Sequence, residues 1–186
     1  MSLPRWMEPL LDAEQMRATD KWAIEDKEIP SLELMERAGE GLARVIGQHG
    51  PAGRVAIVIG KGNNGGDGLV AARLLRQAGR EVEVLAVWPA EWIQGDAAEM
   101  LKRLPGPAPV PFEPERLARA HVIVDALLGT GFEGAPREPA RGAIAAINAA
   151  ARARVVAADV PSGVNASTGE VEGEAVRALA TATFHR

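Results

Sequence analysis

Polar residues capable of chemistry stand where the chain's apolar stretches stop. Asn63, Asn64 and Asp67 follow Val55-Ala56-Ile57-Val58-Ile59, Asp125 closes His121-Val122-Ile123-Val124, and Asp159 and Ser162 follow Arg154-Val155-Val156-Ala157-Ala158. A carboxylate at the end of an apolar strand must be met by hydrogen bonds, a cation or a water-filled cleft, because a bare charge in a dry interior is costly. Oxygen donors with neither thiolate nor imidazole suit a hard cation, and the residue types leave potassium, magnesium and water equally open. The stretch Gly60-Lys61-Gly62-Asn63-Asn64-Gly65-Gly66-Asp67-Gly68 reads as a glycine loop free to turn left-handed and to approach a ligand. Its N–H groups, with the positive end of the helix that follows, favour an anion, above all phosphate.

Familiar chemistries for such residues fail on spacing. A Walker loop needs Gly-Lys-Ser or Gly-Lys-Thr where this chain has Gly66-Asp67-Gly68. Gly60, Gly62 and Gly65 satisfy GxGxxG, but the second strand, Val82 to Val87, ends in Trp88-Pro89 rather than an acid, and Glu81 and Glu83 lie at its far end. That argues against an ordinary dehydrogenase. Ser162 lacks the GxSxG surroundings of a nucleophile, and none of the three loops carries a histidine. His49, His121 and His185 are scattered without metal-ligand spacing, and Lys61 and Arg137 are expected to be solvated. Asp67 at a helix start is equally a cap and a ligand contact.

These residues need a parallel sheet to meet. Val55–Ile59, five apolar residues in a row, suits a central strand covered on both faces. Val70, Ala71, Leu74, Leu75 and Ala78 give a helix stopped by Gly79. Upstream, Asp12 with Gln15 forms a capping box for a helix through about Asp26, with Met16, Ala23 and Ile24 facing inward and Trp22 in core or interface packing. Ser31 is expected to cap a second helix whose stripe is Leu34, Met35, Ala38, Leu42, Val45 and Ile46. Later come a helix ended by Pro105, a proline-rich bend with an edge piece at Val110 to Phe112, a short helix from Glu115 to Ala120, a helix with Ile144 and Ile147 inward, and a strand from Ala180 to Phe184. The fold class this predicts is α/β: a Rossmann-like three-layer αβα sandwich with a mostly parallel central sheet and two extra N-terminal helices. Right-handed crossovers would bring all three polar loops to one edge, and so to one site.

Composition narrows the classes. The 186 residues are 47% hydrophobic and 25% charged, as expected of one globular domain. A net charge of -4 gives no general attraction to nucleic acid or membrane lipid. The absence of cysteine excludes disulfides and thiolate metal sites and makes a reducing cytoplasm the expected compartment. Residues Met1 to Leu11 lack the pattern of a secretory signal, and Met1-Ser2-Leu3 fits an expression scar.

The segment Gly60–Gly68 resembles the signature of the YjeF N-terminal family, the NAD(P)H-hydrate epimerases. Asp125-Ala126-Leu127-Leu128-Gly129-Thr130-Gly131-Phe132-Glu133-Gly134 and Asp159-Val160-Pro161-Ser162-Gly163 resemble that family's later motifs, in the same order. The resemblance implies an enzyme that interconverts the R and S forms of hydrated NADH and NADPH (NADHX and NADPHX) at C6 of the nicotinamide ring. It implies a potassium ion held by Asn64, Asp125 and Ser162. It implies a nucleotide held by Asn63, Asn64, Gly65, Gly66 and Asp67, by Gly129, Thr130, Gly131, Phe132, Glu133, Gly134 and Ala135, and by Asp159. Asp159 is the expected catalytic acid–base, since one carboxyl can protonate a leaving hydroxyl and then activate water. A homodimer and a fused or separate ADP- or ATP-dependent NAD(P)HX dehydratase are the partners the family suggests. Because family members usually continue past Phe184, this single domain, residues 1–186, is expected to be truncated at its C-terminus. The competing expectation is a noncatalytic module, since YjeF-like folds also occur in mRNA-decapping scaffolds and in a mammalian relative that binds apolipoprotein A-I.

Overall fold

A computed structural model describes residues 11–184; the readings at Met1-Ser2-Leu3 and His185 lie outside them. The apolar runs form a six-stranded sheet: β1 (Val55–Ile59), β2 (Val82–Ala86), β3 (Val110–Pro111), β4 (Val122–Ala126), β5 (Arg154–Ala158) and β6 (Ala180–Ala182). The strand order is β3-β2-β1-β4-β5-β6, and every neighbouring pair is parallel. The sheet grows one way from β1 to β3, then returns to the other side of β1 with β4. The β1/β4 boundary is therefore the topological switch point, where open α/β sheets form a crevice beyond the strand ends.

Strand alternation builds two cores. Val55, Ile57 and Ile59 turn to the face covered by α2 (Ser31–His49), α3 (Asn63–Gln77) and α4 (Gly95–Lys102), with Leu42, Ile46, Leu69 and Met100 buried among them. Ala56 and Val58 turn to the other face, where Leu117 and the Ile144–Ile147 ridge of α5 (Ala140–Ala149) close over them. Both faces are dry, which is why β1 reads as unbroken β-branched sequence. The edge piece β3 and a 3₁₀ turn at Pro114–Arg119 lie where expected.

The N-terminal helix α1 (Ala13–Glu25) carries the expected capping box: Asp12 accepts from the Gln15 N–H at 2.8 Å, and the Gln15 side chain accepts from the Asp12 N–H at 3.0 Å. Its inward face is smaller than expected. Ala13 and Ala23 are buried and Met16 is half-buried, but Ile24 is 40% exposed and Trp22 is 51% exposed, with Lys27 Nζ 4.8 Å from its ring centroid. The inward placing of Ile24 is thus corrected, and of core or interface packing for Trp22 the core half is: α1 lies on the surface of the domain, where a short two-alanine strip suffices. The Ser31 cap is corrected too. Pro30 occupies the N-cap position and Ser31 is already helical, making no side-chain capping bond.

A larger correction concerns the glycine loop. α3 begins at Asn63, so Asn63 to Gly68 form the first helical turns and the loop shrinks to Gly60–Gly62. None of Gly60, Gly62, Gly65, Gly66 or Gly68 has a positive φ. What requires glycine is closeness. A Cβ on Gly60 would strike the Leu127 carbonyl, one on Gly65 would strike the Gly60 carbonyl, and one on Gly68 would sit 2.8 Å from the Ala126 Cβ. The helix start is thereby pressed onto the ends of β1 and β4.

Candidate active site

Asp125 occupies the penultimate position of β4, since Ala126 still pairs with Ile59. It is fully buried, and the turn after β5 comes to it. The Ser162 N–H donates to its Oδ2 at 2.8 Å, the Ser162 hydroxyl donates to its Oδ1 at 2.6 Å, and the Leu127 N–H reaches Oδ1 at 3.3 Å. Burial still outweighs these three donors and pushes the Asp125 carboxyl up to about 6. Ser162 is held in turn by the Leu128 N–H at 2.9 Å. Its turn depends on Gly163, whose φ of 99° would strain a side-chain-bearing residue.

Asn64 joins this group through the same backbone. Its Nδ2 donates to the Leu128 carbonyl at 2.9 Å, whereas its Oδ1 is buried without a hydrogen-bond partner. A buried, unpaired carbonyl oxygen is costly, and it marks a position where a donor or cation would be bound favourably. Asn64, Asp125 and Ser162 thus converge around Leu127-Leu128. The donor set is wholly oxygen with a single carboxylate, which suits a hard ion of low charge.

Asp159 follows β5 with a φ of 65°, a conformation uncommon for any residue but glycine. The backbone there is fixed by an N–H bond to the Ala182 carbonyl at 2.7 Å, so the neighbouring strand β6 holds the strained residue in place. Its side chain accepts from the Thr130 N–H at 2.9 Å. Burial raises its pKa, partly offset by Thr130. A Cβ on Gly129 would lie 3.1 Å from Asp159 Oδ2 and 3.2 Å from Asn64 Cβ, so glycine at 129 lets the loops after β1, β4 and β5 meet.

Asp67, in the second turn of α3, is only 8% exposed. Burial first, then the negative charges of Asp159 and Asp20, raise its pKa well above the usual carboxylate range. Asp20 of α1 is the residue that sequence reasoning missed. Partial shielding and then the charge of Asp159 raise its pKa, which brings the N-terminal helix to the rim of the same cluster. Nothing in the spacing along α1 indicates that it borders the strand ends; the capping box fixes the helix but not its neighbour. An N–H of Ala13 donating to Ser167 Oγ at 3.1 Å ties α1 to the loop after β5.

The remaining expected contacts are distributed unevenly. Asn63 is exposed at the start of α3, and Gly65 and Gly66 are buried under it, Gly66 against Met35. Gly131, Glu133 and Ala135 are exposed on the outer part of the β4–α5 loop, with Phe132 and Gly134 half-buried between them. Of the expected contacts from Gly129 to Ala135, Gly129 and Thr130 border the Asn64–Asp159 cluster. Chemically, the site offers carboxyls whose pKa values burial raises, a fixed hydrogen bond on Asp159, and helix-start N–H groups for an anion.

An α/β sheet of this order, with its polar loops at the switch point, defines a Rossmann-like nucleotide-site architecture. Residues 31–186 match the family described as YjeF-related protein N-terminus, and the chain belongs to that family. It is 40% identical over 185 residues to the NAD(P)H-hydrate epimerase of Rhodopirellula baltica, covering 95% of this chain and 74% of that protein. It is 42% identical to the NAD(P)H-hydrate epimerase of Limosilactobacillus fermentum, covering 95% and 86%. The bifunctional NAD(P)H-hydrate repair enzyme Nnr of Methanothermobacter thermautotrophicus is 45% identical over 169 residues; the match covers 85% of this chain but 32% of that longer protein. The crystal structure of yeast ynu0 superposes with a TM-score of 0.79 at 24% identity, over 94% of this chain and 79% of that one, and shares its fold.

Proposed function

We propose that the chain is an NAD(P)H-hydrate epimerase acting on NADHX and NADPHX at C6 of the nicotinamide ring. The observation that carries this reading is the meeting of Asn64 and Asp159 at Gly129, beyond the switch point of the sheet, with Asp67 near enough to feel the charge of Asp159. Inversion at C6 needs the C–O bond to break with help from the ring-nitrogen lone pair, giving a cationic ring and water. Asp159 protonates the departing hydroxyl, and the resulting carboxylate takes a proton from the water that adds to the opposite face. Atoms and charge balance over the cycle, and no cofactor is consumed. Asp67 in the same cluster has its pKa raised well above the usual carboxylate range, by burial first and then by the charges of Asp159 and Asp20. Thr130, donating to Asp159 Oδ2, orients the acid.

Potassium belongs to this reading. Asn64 Oδ1, the Asp125 carboxylate and Ser162 Oγ would hold it, and the orphaned Oδ1 supports the assignment. When bound, it would supply a positive charge to offset the repulsion between Asp125 and the nucleotide phosphates, which at ~4 Å is on the order of 4 kcal/mol at an effective dielectric of 20.

A homodimer and an NAD(P)HX dehydratase, fused or separate, are the partners that fit. The exposed Trp22 and Ile24 on α1 support the first, and the bifunctional relatives support the second. Among the described residues no helix is long and apolar enough to cross a membrane, and the reaction reading adds a cytoplasmic setting. The test is to mix the protein with R-NADHX and follow the epimer ratio. Approach to equilibrium well above the uncatalysed rate is expected; binding without turnover would favour the noncatalytic module.

A further inference from the structure

On the β2 side of the site, Lys61 leaves the end of β1 and places its Nζ 5.9 Å from the centroid of the Trp88 ring and 5.2 Å from that of Trp92. Trp88 lies just beyond β2, and Trp92 closes a 3₁₀ turn at Ala90–Trp92. Attraction between an ammonium and two indole faces fixes a side chain that would otherwise sweep through solvent. Lys61 is nonetheless exposed, and Trp92 is 51% exposed, so both can meet a ligand. Among the described residues Lys61 forms no ion pair, although Glu91 sits in the same turn as Trp92.

The place matters because of the strand order. A dinucleotide across the carboxyl edge of a β3-β2-β1-β4-β5-β6 sheet puts its adenosine half over the end of β2. An acid there binds the ribose 2′-hydroxyl of NAD, and a cation there accommodates the 2′-phosphate of NADP. Asp159, the acid for the nicotinamide end, follows β5, three strand intervals from β2, or about 14 Å at the usual spacing. Directly after β2 this chain has Trp88-Pro89 in place of the acid, and Glu83, at the opposite end, is engaged by Arg54 and Arg116.

We infer that Lys61, held between Trp88 and Trp92, receives the adenosine 2′-phosphate and makes this chain prefer NADPHX to NADHX, with Trp92 as the face on which adenine stacks. The substrate named here rests on the epimerase reading; the location rests on the geometry of residues 61, 88 and 92. Lys61 acts on specificity and touches no reacting atom.

The experiment compares kcat/KM for the two hydrates in the wild-type chain, Lys61→Gln and Lys61→Glu, with circular dichroism and melting temperature as folding controls. Wild type should favour NADPHX, and the NADPHX/NADHX ratio should fall at least about tenfold in Lys61→Glu, with Lys61→Gln between them. A ratio that does not move overturns the inference while leaving the epimerase reading intact. Calorimetry with adenosine 2′,5′-bisphosphate and 5′-AMP reads the same subsite without turnover. The bisphosphate should bind wild type roughly tenfold more tightly, and Lys61→Glu should bind both alike. Equal binding by wild type overturns the inference. Discrimination by a chain that epimerises neither hydrate supports the subsite and overturns the function instead. Trp92→Ala should weaken both adenosine phosphates and, because Trp92 also holds Lys61, narrow the difference between them; unchanged binding of both removes adenine stacking from the proposal.

Discussion

The two edges of the sheet treat charge in opposite ways. At the amino edge, where the strands begin, Arg54 pairs with Glu83 at 2.9 Å and with Glu81 at 3.4 Å, and Arg116 pairs with Glu83 and with Glu113, both at 2.9 Å. Arg80 donates to the carbonyls of Pro51 and Gly53, and a cleft of about 420 Å³ opens among Arg54, Arg80, Arg119 and His121. At the carboxyl edge, Asp67, Asp125 and Asp159 have no cationic partner among the described residues, and all three have raised pKa values. Paired charge fastens the strand starts together. Unpaired, shielded carboxyls instead retain protons and invite a cation, which is what acid–base work and phosphate binding require. Volume alone would therefore mislead: the roomy cleft lies at the amino edge, away from the unpaired carboxyls.

The sharpest way to break this comparison is Asp159→Asn. It should leave folding unchanged, since Asn can still accept from Thr130, and slow epimerisation at least ~100-fold, about 2.7 kcal/mol of barrier. Stopped-flow or chromatographic measurement of the epimer ratio decides it, and an unchanged rate removes Asp159 from the chemistry. Next in size is Asp125→Ala, which should abolish any dependence on potassium and weaken nucleotide binding roughly tenfold or more, about 1.4 kcal/mol. Activity indifferent to replacing potassium by a bulky organic cation in the wild-type chain would remove the ion from the site.

Glu83→Gln carries the comparison to the other edge. Glu83 accepts from both Arg54 and Arg116 with little exposure, so losing its charge should cost about 1 to 2 kcal/mol of stability. Chemical denaturation measures that loss. The epimerisation rate should stay within about twofold, a difference of under ~0.5 kcal/mol. A large rate effect would mean that the two edges are coupled and that the division drawn here is too simple.

The sequence made some of this contrast legible and hid the rest for physical reasons. Runs such as Val55–Ile59 and Val122–Val124 identify buried strands directly, because both faces are dry, and the polar residues that follow them mark the site edge. The start of α3 was misread because five glycines in nine residues look like loop. Three of them, Gly65, Gly66 and Gly68, are helical here, where contact with the Gly60 carbonyl, Met35 and Ala126 leaves no room for Cβ atoms. That is long-range information a local pattern does not contain. Trp22 and Ile24 look like core residues by type, yet α1 buries little besides alanines. Asp20 was invisible for the same reason: its importance depends on which surface α1 covers.

The smallest expected effect sharpens the comparison from within the site. Asp67 is 8% exposed and its pKa is raised well above the usual range, by burial first and then by Asp159 and Asp20. A carboxyl whose folded pKa exceeds its unfolded value binds protons more strongly when folded, so its stability contribution is fully present at low pH and is lost as pH rises through the folded pKa. Once the pH exceeds its folded pKa, the wild-type chain thus bears a shielded, unpaired charge that Asp67→Asn removes. The variant should be more stable there by about 1 kcal/mol, a rise in melting temperature of roughly 2 to 4 °C for a chain of this size. The gain should shrink toward zero as pH falls to the range where the folded wild type is itself protonated. Thermal melts of both proteins across pH 5 to 8 test the sign as well as the size. A constant offset at every pH would trace the change to packing rather than charge, and a loss of stability at pH 8 would mean that the positive end of α3 already compensates Asp67. If the gain appears together with slower epimerisation, the carboxyl edge gives up stability to keep its acids unpaired, whereas the amino edge does not.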